Sequence, residues 1–144
     1  MNEERETTAT AVRKSWAAAL NTAAATRPLM FHRGEQDFAL VSGRFFREVV
    51  RRAVPAPEII AEDDGWTVVL PGHPVAADGE DLDAALRDFI AALRDYATAW
   101  DDRLHLAPNH QHAAALVQHT YLSSDADLLD WSRGRTDQTI TERV

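Results

Sequence analysis

The chain has 144 residues, no cysteine, six glycines and six prolines, with 45% hydrophobic and 26% charged residues; this fits one globular domain or two very small ones and excludes disordered, collagen-like and disulfide-rich classes. Its longest apolar runs, such as Trp16 to Leu20 and Thr67 to Leu70, fall far short of the roughly 18 to 20 residues a membrane span requires, and the acidic start Met1-Asn-Glu-Glu-Arg-Glu6 is unlike a secretory leader. A soluble cytoplasmic protein without a membrane partner is expected. The net charge of −8 is unevenly spread: residues 7–53 hold eight basic and three acidic side chains (+5), residues 54–144 six arginines and seventeen acids (−11). Such a split points to two parts with two different partners, or to two parts that meet each other.

In chain order, Val12, Trp16, Ala19, Leu20 and Ala23 follow helical spacing and predict one alanine-rich helix from about Thr8 to Ala25. Arg27-Pro28 stops it. Leu29 to Phe31 and Phe38 to Val41 then read as two short strands of a hairpin turning through Arg33-Gly34-Glu35-Gln36. Ser42 is the expected N-cap of a helix over Gly43 to Arg52 that buries Phe45 or Phe46 with Val49 and Val50 and presents Arg44, Arg47, Arg51 and Arg52 to solvent. Val54-Pro-Ala-Pro57 ends that helix and marks the sharpest boundary in the chain.

Beyond it, Ile59-Ile60 and Trp66 to Leu70 flank an Asp-Gly turn and predict a second hairpin. Leu82, Leu86, Phe89, Ile90, Leu93, Tyr96, Ala97, Trp100 and Leu104 keep to one face over some 25 residues, the strongest helical pattern present, with Glu80, Asp81 and Asp83 at its start where the helix dipole favours acids. Pro108 is expected to end this helix, a short helix follows from Asn109 to about Tyr121, and Ser124-Asp-Ala-Asp127 reads as a capping box opening a last helix. Gly134 is expected to end that one, leaving Arg135 to Val144 as a polar, mobile tail. The fold class is α+β: a small domain over 1–53 of helix, hairpin and helix, then a hairpin and helical part over 54–144. Because 53 residues bury a low fraction of their surface, the front part is expected to be a homodimer.

Arg13, Ala23-Ala-Ala-Thr-Arg-Pro28, Phe31-His-Arg-Gly34, Phe38-Ala-Leu-Val-Ser42 and Arg44-Phe-Phe-Arg-Glu-Val-Val50 occur in the order and at the spacing of the Phd/YefM (prevent-host-death) antitoxins, which residues 5 to 53 resemble. The match departs in two places. Asn2 to Thr10 is polar where the family opens with an apolar strand, and Glu35 and Gln36 stand where a basic residue and proline are usual, which weakens or removes DNA affinity. Glu62 to Pro74 and Gly79 to Leu86 are similar, over a shorter span, to the HicB-type pattern of hairpin, Pro-Gly turn and helix. The resemblance implies a type II antitoxin whose front dimerises, binds operator DNA and represses its own operon. Its RelB-like acidic rear would neutralise a basic toxin of the RelE/ParE type.

On that reading Arg13, Lys14, His32 and Arg33 are the candidate DNA contacts, reaching phosphates or groove edges from a helix and an adjacent turn. Tyr96, Trp100, Asp101, Asp102 and Trp131 are the candidate toxin contacts, although helical periodicity assigns the aromatics first to the core. Neither a catalytic set nor a cofactor motif is recognisable. His105, His110, His112 and His119 crowd one window, yet lack the spacing of a His-Glu-x-x-His zinc site, so no metal is assigned. A small metal-dependent enzyme using that cluster, and an interaction domain that does not bind DNA, are the alternatives.

Overall fold

The computed structural model describes residues 7–25 and 27–142, with side chains described through Gly134. The chain forms two compact units, Met1–Val49 and Val50–Val144, which divide within a helix a few residues ahead of the Pro55 and Pro57 turn.

The first unit opens with a two-residue strand β1 (Thr7–Thr8) and a helix α1 (Ala9–Lys14). Thr8 extends its backbone and accepts from the Ala11 N–H at 3.1 Å, satisfying one of the amides a helix start leaves free. The expected single helix is broken at Ser15, whose φ of −118° and ψ of 42° are not helical, so α2 (Trp16–Ala24) starts afresh. Serine suits such a break because its hydroxyl competes for local backbone bonds and favours non-helical conformations. The hairpin is longer than the apolar residues suggest. Strands β2 (Leu29–Arg33) and β3 (Gln36–Leu40) pair up to Arg33 opposite Gln36, and Gly34, at φ +60°, supplies the left-handed turn. β1 lies parallel to β2, with Thr8 opposite His32. Ser42 then caps α3 (Gly43–Arg52) through its Oγ, which accepts from the Phe45 N–H at 3.5 Å.

The second unit is a three-stranded antiparallel meander, β4 (Glu58–Glu62), β5 (Gly65–Val69) and β6 (Ala76–Gly79), with helices on one face. β6 has no apolar alternation to announce it, since it reads Ala-Ala-Asp-Gly. Its glycine explains its place: a Cβ on Gly79 would lie 2.3 Å from the Ala85 nitrogen, so only glycine lets the strand approach the helix this closely. That helix, α4 (Leu82–Asp102), is capped by Asp81, whose carboxylate accepts from the Ala84 N–H at 2.7 Å. Its apolar face buries Leu86, Phe89, Ile90, Leu93, Tyr96 and Ala97 against Val68, Leu70 and Val75. Each large side chain buried this way contributes about 1.5–3 kcal/mol.

α4 stops at Asp102, before Leu104 and well before Pro108, and two 3-10 turns (Leu104–Leu106 and Pro108–Ala113) lead to α5 (Ala114–Leu122). The capping box opens α6 (Asp125–Glu142) reciprocally: Asp127 N–H donates to Ser124 Oγ and Ser124 N–H to the Asp127 carboxylate, both at 3.1 Å. Gly134 does not end this helix, contrary to expectation, because α6 continues to Glu142. The predicted tail therefore begins in helix, and residues 143–144 lie outside the described residues. Arg94 fastens the α5–α6 corner, donating to the Thr120 and Ser123 carbonyls at 2.5 and 2.7 Å while pairing with Asp125 at 2.9 Å. A charged guanidinium thereby satisfies carbonyls that the end of α5 leaves open. Among the described residues no helix is long and apolar enough to cross a membrane.

Candidate functional site

The four residues expected to meet DNA all lie in the first unit. Arg13 and Lys14 occupy the exposed last turn of α1, where cations complement the helix dipole. His32 and Arg33 end β2, and the Thr8–His32 pairing brings the β1–α1 junction alongside them. Arg33 is held rather than free. Its guanidinium donates to Gln36 Oε1 at 3.4 Å and sits 5.8 Å above the Phe38 ring, which in turn stacks on Phe31 at 5.6 Å. Gln36 thus carries no charge of its own but orients one beside the turn.

A second feature of this unit departs from what helical spacing predicts. Val12, Ala19 and Ala23 are buried, whereas Trp16 and Leu20, placed on the same helical face by spacing alone, are 52% and 44% exposed. Met30, Phe38, Phe45 and Val49 are exposed as well, so neither Phe45 nor Val49 is buried by α3 as expected. The expected buried phenylalanine is only half-buried Phe46. Six large apolar side chains of this small unit thus stand at its surface.

In the second unit the sequence-predicted contacts separate. Tyr96 and Trp131 are buried in the core, which puts them out of reach of a partner as the molecule stands. Burial raises the Tyr96 hydroxyl above the usual tyrosine pKa, and that hydroxyl shares a 2.8 Å hydrogen bond with His110 Nδ1. Trp100 is half-buried: its indole N–H donates to the His110 carbonyl at 3.0 Å, and its own carbonyl accepts from His105 Nδ1 at 2.8 Å. These aromatics brace the end of α4 against the turns that follow. Asp101 and Asp102 stand exposed at the C-terminus of α4, where the dipole opposes negative charge, so their presence is not explained by helix stability.

The histidines expected to cluster go to separate tasks. His105 and His110 serve the brace, His112 Nε2 donates to the Gly72 carbonyl at 3.0 Å and stacks on His73, and His119 meets the Trp131 ring edge-on at 4.5 Å. His119 is buried, its Nε2 has no hydrogen-bond partner among the described residues, and its pKa is lowered to about 4 by burial and by Arg51, against the opposite pull of Asp127. It is a neutral core side chain at pH 7. His73 is held below its ordinary pKa by burial and then by His112. Among the described residues no three histidine, aspartate or glutamate side chains converge as metal ligands would.

The acidic side chains missed as a group lie on the sheet. Residues 58–79 hold Glu58, Glu62, Asp63, Asp64 and Asp78 and no lysine or arginine, and all five carboxylates are exposed. The strand register puts Glu58, Ile60 and Glu62 on the face away from the helices; the signal was legible as alternation, with Ile59 facing the core between them.

A family model described as PHD-like, an antitoxin of the RelE/RelB toxin–antitoxin system, matches residues 1–117 of the chain. No curated protein matches it. Among solved structures, the chain is similar to the antitoxin part of a proposed toxin/antitoxin system from Syntrophomonas wolfei subsp. wolfei. The two share 16% identity with a TM-score of 0.70 over 88% of this chain and 95% of the other, a likeness of mixed α+β fold.

Proposed function

The chain belongs to the PHD-like family of RelE/RelB-system antitoxins, and from that premise we propose that its two units divide an antitoxin's work between DNA and toxin. The first unit acts in the manner of Phd/YefM proteins. It forms a homodimer by covering Trp16, Leu20 and neighbouring apolar side chains with a second copy, and it presents Arg13, Lys14, His32 and Arg33 twice to a two-fold operator, repressing its own operon. The second unit neutralises a basic toxin of the RelE/ParE type through its acidic surface, including Asp101 and Asp102, with Tyr96, Trp100 and Trp131 supporting that surface from behind. The protein does no catalysis of its own and works in the cytoplasm.

The observation that carries this reading is the coincidence of two asymmetries along one chain. Residues 7–49, with six basic and three acidic side chains, leave six large apolar side chains exposed, and the acidic unit is the one that buries a large apolar core. The test is co-expression with the product of the neighbouring gene. That product alone should arrest growth, the pair should co-purify, and growth should recover. Operator binding by the complex should weaken steeply as salt rises. A neighbour that neither binds nor harms would overturn the proposal.

A further inference from the structure

β4 is the outer strand of its sheet, paired with β5 alone, so one row of its backbone groups has no partner strand among the described residues. Glu62 and Gly65 close the two-residue turn; in such a hairpin the closing pair exchanges hydrogen bonds and the pattern then alternates. Glu58, Ile60 and Glu62 therefore direct their backbone groups to β5, and Ile59 and Ala61 direct theirs outward. Natural sheets usually guard an open edge with lysine, proline or a bulge. Within Glu58–Glu62 there is no lysine, proline or bulge: the register with β5 is unbroken, the central Ile60 is 42% exposed, and the charges are all negative.

We propose that the open edge of β4 is a strand-addition site that takes a basic β-strand of the toxin. This inference rests on the antitoxin reading and names the place of contact within it. Glu58 and Glu62 stand four residues apart on one face, about 13 Å at the rise of a strand, with Ile60 midway. The matching strand reads basic, any, apolar, any, basic: an arginine or lysine opposite each glutamate, an aliphatic side chain over Ile60, and main-chain bonds to Ile59 and Ala61. A second copy of this chain does not fit. Antiparallel pairing of two β4 edges about Ile60 would set Glu58 opposite Glu62 twice over, like charges in direct cross-strand contact. The Asp63-Asp64 turn beside this edge adds to that repulsion and would draw in a cationic partner.

The experiment uses the full chain and the neighbouring gene's product in its purified complex, read by hydrogen exchange and by affinity. Strand addition should slow exchange of the Ile59 and Ala61 amides in the complex by at least tenfold while leaving those of Ile60 and Glu62, already bonded to β5, little changed. Glu58→Lys with Glu62→Lys should weaken capture tenfold or more. Ala61→Pro removes only an outward N–H at an edge, where proline is tolerated, and should also weaken capture while leaving the melting temperature within a few degrees of wild type. A complex that forms normally with all three substitutions and leaves β4 exchanging freely would overturn the site but not the antitoxin reading. A wild-type chain that captures nothing would remove both.

Discussion

In Met1–Val49, Trp16, Leu20, Met30, Phe38, Phe45 and Val49 are between 39% and 55% exposed, and the buried apolar residues are Val12 and two alanines. In Val50–Val144, Leu86, Phe89, Leu93, Leu116 and Leu128 are each no more than 1% exposed. Both units obey the same rule, that apolar area stabilises once removed from water. They meet it by different routes. The second unit packs the apolar faces of α4, α5 and α6 and of a sheet into one core, whereas the three short helices and small sheet of the first leave Trp16 and Leu20 at the surface. In the proposed dimer a second copy covers those side chains. On the proposed reading, stability and partner choice are coupled in the first unit and separable in the second.

The comparison can be broken most sharply at Phe89. Truncation to alanine in a fully buried position should cost about 3–5 kcal/mol, seen as a lower denaturant midpoint for the second unit, while the dimer contact proposed for the first should persist. Acid tests the same core. An unfolded His119 takes up a proton near pH 6.5, but the folded one, with its pKa lowered to about 4, does not. Folding stability should therefore fall as pH drops from about 6.5 towards 4, by up to about 3 kcal/mol. Thermal melts between pH 7 and 4.5 check this, and His119→Gln should flatten the dependence relative to wild type. An unchanged slope in that variant would assign the acid sensitivity to the carboxylates instead.

For the first unit, Trp16→Glu with Leu20→Glu should raise the dimer dissociation constant at least tenfold, about 1.4 kcal/mol or more, in sedimentation equilibrium. The melting of the second unit should stay put. If the doubly substituted chain remains dimeric at low micromolar concentration, the exposed apolar face is not the contact. The smallest effect is expected at Ser124→Ala, which removes one half of the capping box that opens α6 and should cost about 1 kcal/mol, measured as a shift of a few degrees in melting temperature.

Local chemistry accounts for the parts of the fold that were legible. The nine-residue apolar pattern starting at Leu82 predicts α4 because a helix returns every third or fourth side chain to one face, and the structure ends that pattern within a residue or two of Trp100. Ser42 and Ser124 predict helix starts because a hydroxyl can accept from an amide with no carbonyl of its own to reach. The candidate site was less legible. Tyr96, Trp100 and Trp131 have the composition of an interface, and their hydrogen bonds and packing place them in or against the core. Asp101 and Asp102, candidate toxin contacts in the sequence, stand exposed at the end of α4, and the five sheet carboxylates gain meaning only when β4 is seen to be an edge.

By itself the sequence determined the α+β class, the change of charge near the two prolines, the hairpins and the helix caps, since all of these depend on side chains within a few residues of one another. Tertiary structure decided that Ala76–Gly79 is a strand, and that Trp16 faces outward while Trp131 faces in. The reason is common to both. A residue's local preference amounts to about 1 kcal/mol or less, whereas the closeness of Gly79 to Ala85 and the burial of Trp131 but not Trp16 depend on what the rest of the fold brings against them.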